Sequence, residues 1–182
     1  MILKVVAGAI LRMKGWKITG QLPGPKCVAV MAPHTSNTDF LVGWLGYTAL
    51  GIRSHFLIKK EAFTWYTSAL FKAMGGIPVD RRNSTNIVLK VTEEFEKRDR
   101  FIVTITPEGT RKLNTHWKRG YYFIALNAKV PIALGYLDYQ LKEGGFGPSF
   151  YPSGDFDADF KLIEEFYRGK HAYHPERFNL TQ

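Results

Sequence analysis

Apolar residues fall into short runs bounded by turn residues. Cys27-Val28-Ala29-Val30-Met31 and Phe101-Ile102-Val103-Thr104-Ile105 read as buried strands. Val130-Pro131-Ile132-Ala133-Leu134 reads as another, and Ser54-His55-Phe56-Leu57-Ile58 as a further one. A short strand follows the Gly75-Gly76 turn, through Ile77, Pro78 and Val79. Helical patterns lie between them: Leu41 to Tyr47, residues 61–74, a stripe of Ile87, Val88, Val91 and Phe95 capped by Ser84 or Asn83, and residues 121–128. Gly144-Gly145-Phe146-Gly147-Pro148 reads as a flexible turn between edge strands. Asp155, Asp157 and Asp159 open a last helix that ends with Arg168 and Lys170, the order the helix dipole favours. Strands alternating with helices predict a single-domain α/β fold, a mixed, mostly parallel sheet flanked by helices.

Residues 1–20 stand apart from this pattern as an N-terminal amphipathic helix ahead of a main domain over 21–182. Lys4, Gly8 and Arg12 make a narrow polar stripe, the rest is mostly apolar, Trp16 follows, and the stretch contains no acid. Two readings stay open: a helix lying in a membrane interface with Trp16 at headgroup depth, or a terminal helix packed on the core. No apolar run reaches the ~18 residues of a membrane span, and no signal peptide is recognisable, so a cytoplasmic protein is expected, peripheral on the inner face of the membrane.

Composition adds one constraint. The 182 residues carry a formal net charge of +9, which calls for an anionic partner: nucleic acid, anionic membrane or phosphorylated small molecules. The single Cys27, set in a strand, excludes a disulfide framework and reads as an inert core thiol.

Chemistry-capable residues gather where strands end. After Met31 comes Ala32-Pro33-His34-Thr35-Ser36-Asn37-Thr38-Asp39, a polar turn opening a helix. His34 with Asp39 behind it would make a general base, provided His34 sits in the turn and Asp39 in the first helical turn; on a continuous helix the two would be ~500° apart. Thr35, Ser36 and Asn37 are all good N-caps there. Taken alone, the pair equally describes a surface histidine and a dipole-complementing acid. After Ile105 comes Thr106-Pro107-Glu108-Gly109-Thr110-Arg111-Lys112, and then a basic loop with His116, Trp117, Lys118 and Arg119. Phe63, Trp65, Tyr66 and Phe71 either line an acyl groove or simply pack.

In this order, these blocks resemble the glycerolipid acyltransferase family, which includes the lysophosphatidic acid acyltransferases. His34 through Asp39 is similar to its HxxxxD block, Gly75 through Arg81 to its GxxFIDR block with Pro78 where an aromatic is usual, and Pro107 through Arg111 to its PEGTR block. Val130-Pro131-Ile132 resembles its last block, with Leu134 in place of a second Pro, and the likeness spans about residues 27–137. The resemblance implies direct acyl transfer from a thioester, acyl-CoA or acyl-carrier protein, to a glycerol hydroxyl of a lysophospholipid. The default acceptor is 1-acylglycerol 3-phosphate, with a monoacylated amino-acid lipid as the alternative. His34 would be the base and Asp39 its orienting partner. Arg81 and Arg111 would grip the acceptor phosphate, Glu108 would accept a glycerol hydroxyl or brace an arginine, Gly109 would admit the ligand and Thr110 would donate to it. Ser36, Lys112 and Lys118 are second-rank candidates, and Arg82 reads as a solvated neighbour. Backbone amides of the His34 turn would hold the oxyanion. No metal or other cofactor is implied, and the partners are the thioester donor, the lysophospholipid and an anionic membrane surface.

Two other classes remain as competitors. A nucleic-acid binder would use the positive charge and the basic loop with Trp117, although no nucleic-acid motif is present and none is expected as partner. A metal-dependent hydrolase would use His34, His55 or His116, which show no HxH or HExxH spacing.

Overall fold

The computed structural model describes residues 2–80 and 84–180. Seven strands form one sheet in the order β1-β7-β6-β2-β5-β3-β4. They are β1 (Lys17–Thr19), β2 (Lys26–Met31), β3 (His55–Lys59), β4 (Gly76–Val79), β5 (Phe101–Ile105), β6 (Ile132–Asp138) and β7 (Glu143–Phe150). All neighbours run parallel except β6 and β7. Six helices cover it: α1 (Ile2–Met13), α2 (Asn37–Leu50), α3 (Ser68–Ala73), α4 (Ser84–Lys97), α5 (Gly120–Ala128) and α6 (Phe156–Arg168). This is the expected mixed, mostly parallel α/β sheet.

The central strand β2 shows why its run is continuously apolar. Val28 and Val30 face a core shared with Phe101, Val103, Tyr121, Ile124 and Tyr167. Cys27 and Ala29 face the other way, against Tyr47, Ile102 and Phe146. Alternate residues thus bury on opposite faces, and the smaller ones lie under α2. Burial pushes the Cys27 thiol up to about 12, so it stays an inert thiol at neutral pH. Tyr167 of α6 clamps the centre, its hydroxyl 2.8 Å from the carbonyls of both Val30 and Gly135.

Two expectations need correction and two need completing. The helix over 61–74 is interrupted: a single 3-10 turn at Lys60–Ala62 is followed by α3 only from Ser68. Thr64 and Thr67 cause the break, because the Thr67 hydroxyl takes the Thr64 amide at 3.0 Å and donates to the Ala62 carbonyl at 2.5 Å, offering the backbone a local alternative to the helix. Gly144 to Pro148 is not a turn but the middle of β7. A Cβ on Gly145, at φ +148, would lie 1.8 Å from the Thr19 carbonyl oxygen, so glycine there lets β1 pair. Asp159 lies in the first turn of α6 as expected but is also buried, and accepts from the Tyr122 hydroxyl and the Ser153 amide at 2.7 Å each. Trp16, for which two readings stood open, is buried with Leu11, Val42 and Leu137.

Helix α1 lies on α2 through one narrow face. Ala7 and Leu11 are buried, Gly8 faces Ala49, and Lys4 Nζ reaches the Leu50 carbonyl at the end of α2. Lys4 and Arg12 stay exposed at the edge of this contact, while Ile2, Leu3, Val5, Val6 and Met13 face outward. Among the described residues no helix is long and apolar enough to cross a membrane.

Candidate active site

The site forms because β2 and β5 are parallel neighbours, Val30 beside Ile105. Their following loops leave the same edge of the sheet side by side. The first loop holds His34 and starts α2. Ser36 is the N-cap, its hydroxyl accepting the Thr38 amide at 3.1 Å, and Asp39 is the third helical residue, closing a capping box. His34 thus stays in the turn while Asp39 folds back beneath it, and Nδ1 of His34 lies 3.3 Å from Oδ2 of Asp39.

Asp39 is held by more than His34. Its Oδ2 accepts the Thr35 amide at 2.7 Å and the Ser36 amide at 2.8 Å, and its Oδ1 accepts the Tyr139 hydroxyl at 2.6 Å. Burial pushes the Asp39 carboxyl up, but the bonds from His34, Tyr139 and Ser36 outweigh it and hold the carboxyl below its usual range. Glu108 arrives from the second loop, and its Oε1 accepts the His34 amide at 3.0 Å. It is 3% exposed, and its Oε2 has no hydrogen-bond partner among the described residues. Burial pushes its carboxyl up to about 8, with the Asp39 charge adding to the rise and the His34 amide opposing it.

The second loop is folded on itself. Asn114 donates to the Glu108 carbonyl at 2.8 Å, Lys118 donates its amide to the Pro107 carbonyl at 2.8 Å, and Gly109 turns at φ +66 with the Lys118 side chain against it. A cavity of about 580 Å³ opens between the loops. Its polar lining includes His34, Asn37, Arg111 and Lys118, and its apolar wall is built largely from Phe40, Trp44, Phe56, Phe71, Ile87 and Ile124.

The expected site residues divide accordingly. His34, Asp39, Glu108, Gly109, Arg111 and Lys118 come together. Ser36 is a cap whose amide serves Asp39. Thr110 and Lys112 are exposed, outside the cavity lining, and the Thr110 hydroxyl accepts the Lys112 amide at 3.2 Å. Arg81, with its neighbour Arg82, lies outside the described residues. The amides of His34, Thr35 and Ser36 are all committed to carboxylates, so they are not the oxyanion donors expected of this turn. Of the aromatics around residues 63–71, Phe71 lines the cavity and Phe63 packs on it at 5.6 Å, while Trp65 and Tyr66 point away into solvent.

His55 is a structural histidine, its ring nitrogens 3.3 Å from the Ile102 carbonyl and 3.2 Å from Arg98 Nη1. Trp117 is buried against Phe160 and Tyr167, which removes the stacking surface a nucleic-acid interface would have used. Two contacts near the pair were not marked by any sequence pattern. Tyr139 is 100 positions from the Asp39 it holds, and the buried Thr35 hydroxyl accepts the His174 amide at 3.0 Å.

A profile of the acyltransferase family matches residues 17–133, well over half of the chain, and the protein belongs to that family. In structure it is similar to the 1-acyl-sn-glycerophosphate (LPA) acyltransferase PlsC from Thermotoga maritima. The TM-score is 0.60 at 15% sequence identity, over 91% of this chain and 75% of the other. That likeness is one of fold. No curated protein sequence matches the chain significantly.

Proposed function

We propose that this acyltransferase moves a fatty acyl group from acyl-CoA or acyl-carrier protein to the free glycerol hydroxyl of a lysophospholipid, with 1-acylglycerol 3-phosphate as acceptor. The observation that carries this reading is the His34–Asp39 pair at 3.3 Å on the wall of a largely apolar cavity of about 580 Å³. With Nδ1 turned to Asp39, Nε2 of His34 takes the acceptor's hydroxyl proton as its oxygen attacks the thioester carbonyl. The tetrahedral oxyanion then collapses, the carbon–sulfur bond breaks, and the departing thiolate recovers the proton from the imidazolium. No covalent enzyme intermediate is required, because the thioester is already activated; Cys27 is buried in the core and no GxSxG elbow exists.

Arg111 and Arg81 bind the acceptor phosphate in this reading, and Lys118 adds charge beside Arg111. Asn37, Arg111 and Lys118 are the side-chain donors along the cavity wall that face the developing oxyanion in place of the committed amides. The apolar wall receives the acyl chain. The outward apolar face of α1 attaches the enzyme to the inner face of an anionic membrane, where its acceptor resides.

The test is thiol release from acyl-CoA and acyl-carrier donors, with and without 1-acylglycerol 3-phosphate, beside a His34→Ala variant. Acceptor-dependent release that falls at least ~10²-fold in the folded variant is expected. Full activity in that variant would overturn the mechanism, and release without acceptor would indicate a thioesterase.

A further inference from the structure

We infer that Trp65, Tyr66 and Leu70 form a second membrane-docking element that seats the wall of the acyl cavity on an anionic bilayer. The inference rests on the proposed reading that the acceptor is a membrane lipid. Trp65 is 92% exposed, Tyr66 66% and Leu70 57%, although the segment is not frayed. The Thr64 and Thr67 hydroxyls lie 2.9 Å apart and bind the surrounding backbone, which breaks the helix and projects the two rings. Trp65 and Tyr66 pack edge to face, 5.4 Å between ring centres, as one aromatic knuckle. A tryptophan and a tyrosine held outward together suit the headgroup layer, where an apolar ring body and a polar tip are both satisfied.

Two further observations choose the bilayer as occupant. Behind the knuckle, Phe63 packs on Phe71, which lines the catalytic cavity, so the segment is a wall of that cavity. At the end of α3 a second recess of about 280 Å³ runs between Leu3 and Lys4 of α1 and Ala73 and Met74, and it shares Trp44, Tyr47 and Phe56 with the main cavity. Leu3 on the outward apolar face of α1 and the end of α3, the helix that carries Leu70, therefore flank one recess. Its charged lining is Lys4 and Arg53, with Lys72 next in the chain and no acid among the lining residues. Exposed apolar groups on two elements with cations between them match an anionic lipid surface.

The full-length protein provides its own probe. Trp16 and Trp117 are buried and Trp44 is half-buried in the cavity wall, so Trp65 is the exposed tryptophan and its contact with lipid is read as the difference between the full-length protein and Trp65→Ala. Mixed phosphatidylglycerol–phosphatidylcholine vesicles should blue-shift its emission, and brominated acyl chains should quench it. The larger part of both signals should be lost in Trp65→Ala, leaving only what Trp44 contributes, and Trp65→Ala/Tyr66→Ala should lower vesicle partitioning about tenfold or more. The same variant should keep its turnover on a monomeric short-chain acceptor without vesicles. Partitioning that is unchanged, with no bromine quenching, overturns the proposal. So does a loss confined to acyl-carrier donors at unchanged partitioning, which would make the knuckle a carrier-protein dock. Quenching without acyl transfer to any acceptor would leave the docking element standing and overturn the functional reading instead.

Discussion

The His34–Asp39 pair is fixed by a third side chain. Tyr139 directs its hydroxyl at Asp39 Oδ1 from 2.6 Å, and its ring is wedged against Trp16 and Tyr173, each with 5.0 Å between ring centres. A locked donor of this kind sets the carboxylate's orientation and lowers its basicity. Tyr139→Phe should keep the ring packing and lose only the bond. The expected result is a kcat about tenfold lower with KM unchanged, equivalent to ~1.4 kcal/mol of barrier. Because that bond helps hold the Asp39 carboxyl low, its loss should also move the acid limb of the rate profile to higher pH. A pH–rate profile of both proteins checks this, and coincident acid limbs would leave Tyr139 with a packing role only.

At the scale of elements, local signals and tertiary context divide the work. The strands β2 and β5 and helices α2 and α4 were legible because apolar runs, helical stripes and caps are local properties. The break at Thr64–Thr67 was not, since the same residues serve a helix or a hydroxyl-bonded turn. Strand β7 read as a turn because its glycines look like punctuation, while their reason is the closeness of β1 and α6: Gly147 leaves no room for a Cβ beside Phe166. The first 20 residues supply a buried helix face, Trp16 and the edge strand β1. A chain starting at residue 21 should therefore melt well below the full-length protein, by more than ~3 kcal/mol, since losing even one buried leucine side chain costs ~2–5 kcal/mol. Thermal unfolding checks this, and equal melting would show that α1 and β1 add nothing to the fold.

For the whole molecule, the buried carboxyl of Glu108 should tie stability to pH. Its folded value is raised to about 8 from an ordinary 4.5, so the folded protein keeps a proton that the unfolded chain gives up. Stability should fall as pH rises from ~4.5 and level off above ~8, by on the order of a few kcal/mol. Glu108→Gln keeps a carbonyl oxygen for the His34 amide and cannot ionise, so its denaturation curves should lose that slope. Parallel pH dependence in the two proteins would show that Glu108 is ionised in the fold. The α/β class, the strand-end loops and the choice of His34, Asp39, Glu108 and Arg111 as candidates for the chemistry came from sequence alone, because residue type, period and order along the chain carry them. Strand order was decided only in three dimensions. It sets β2 beside β5, brings the Glu108 carboxyl to the His34 amide, and carries Tyr139 to Asp39 across 100 positions. Such contacts depend on which surfaces pack together when the core is buried, and no local pattern in the chain encodes that choice.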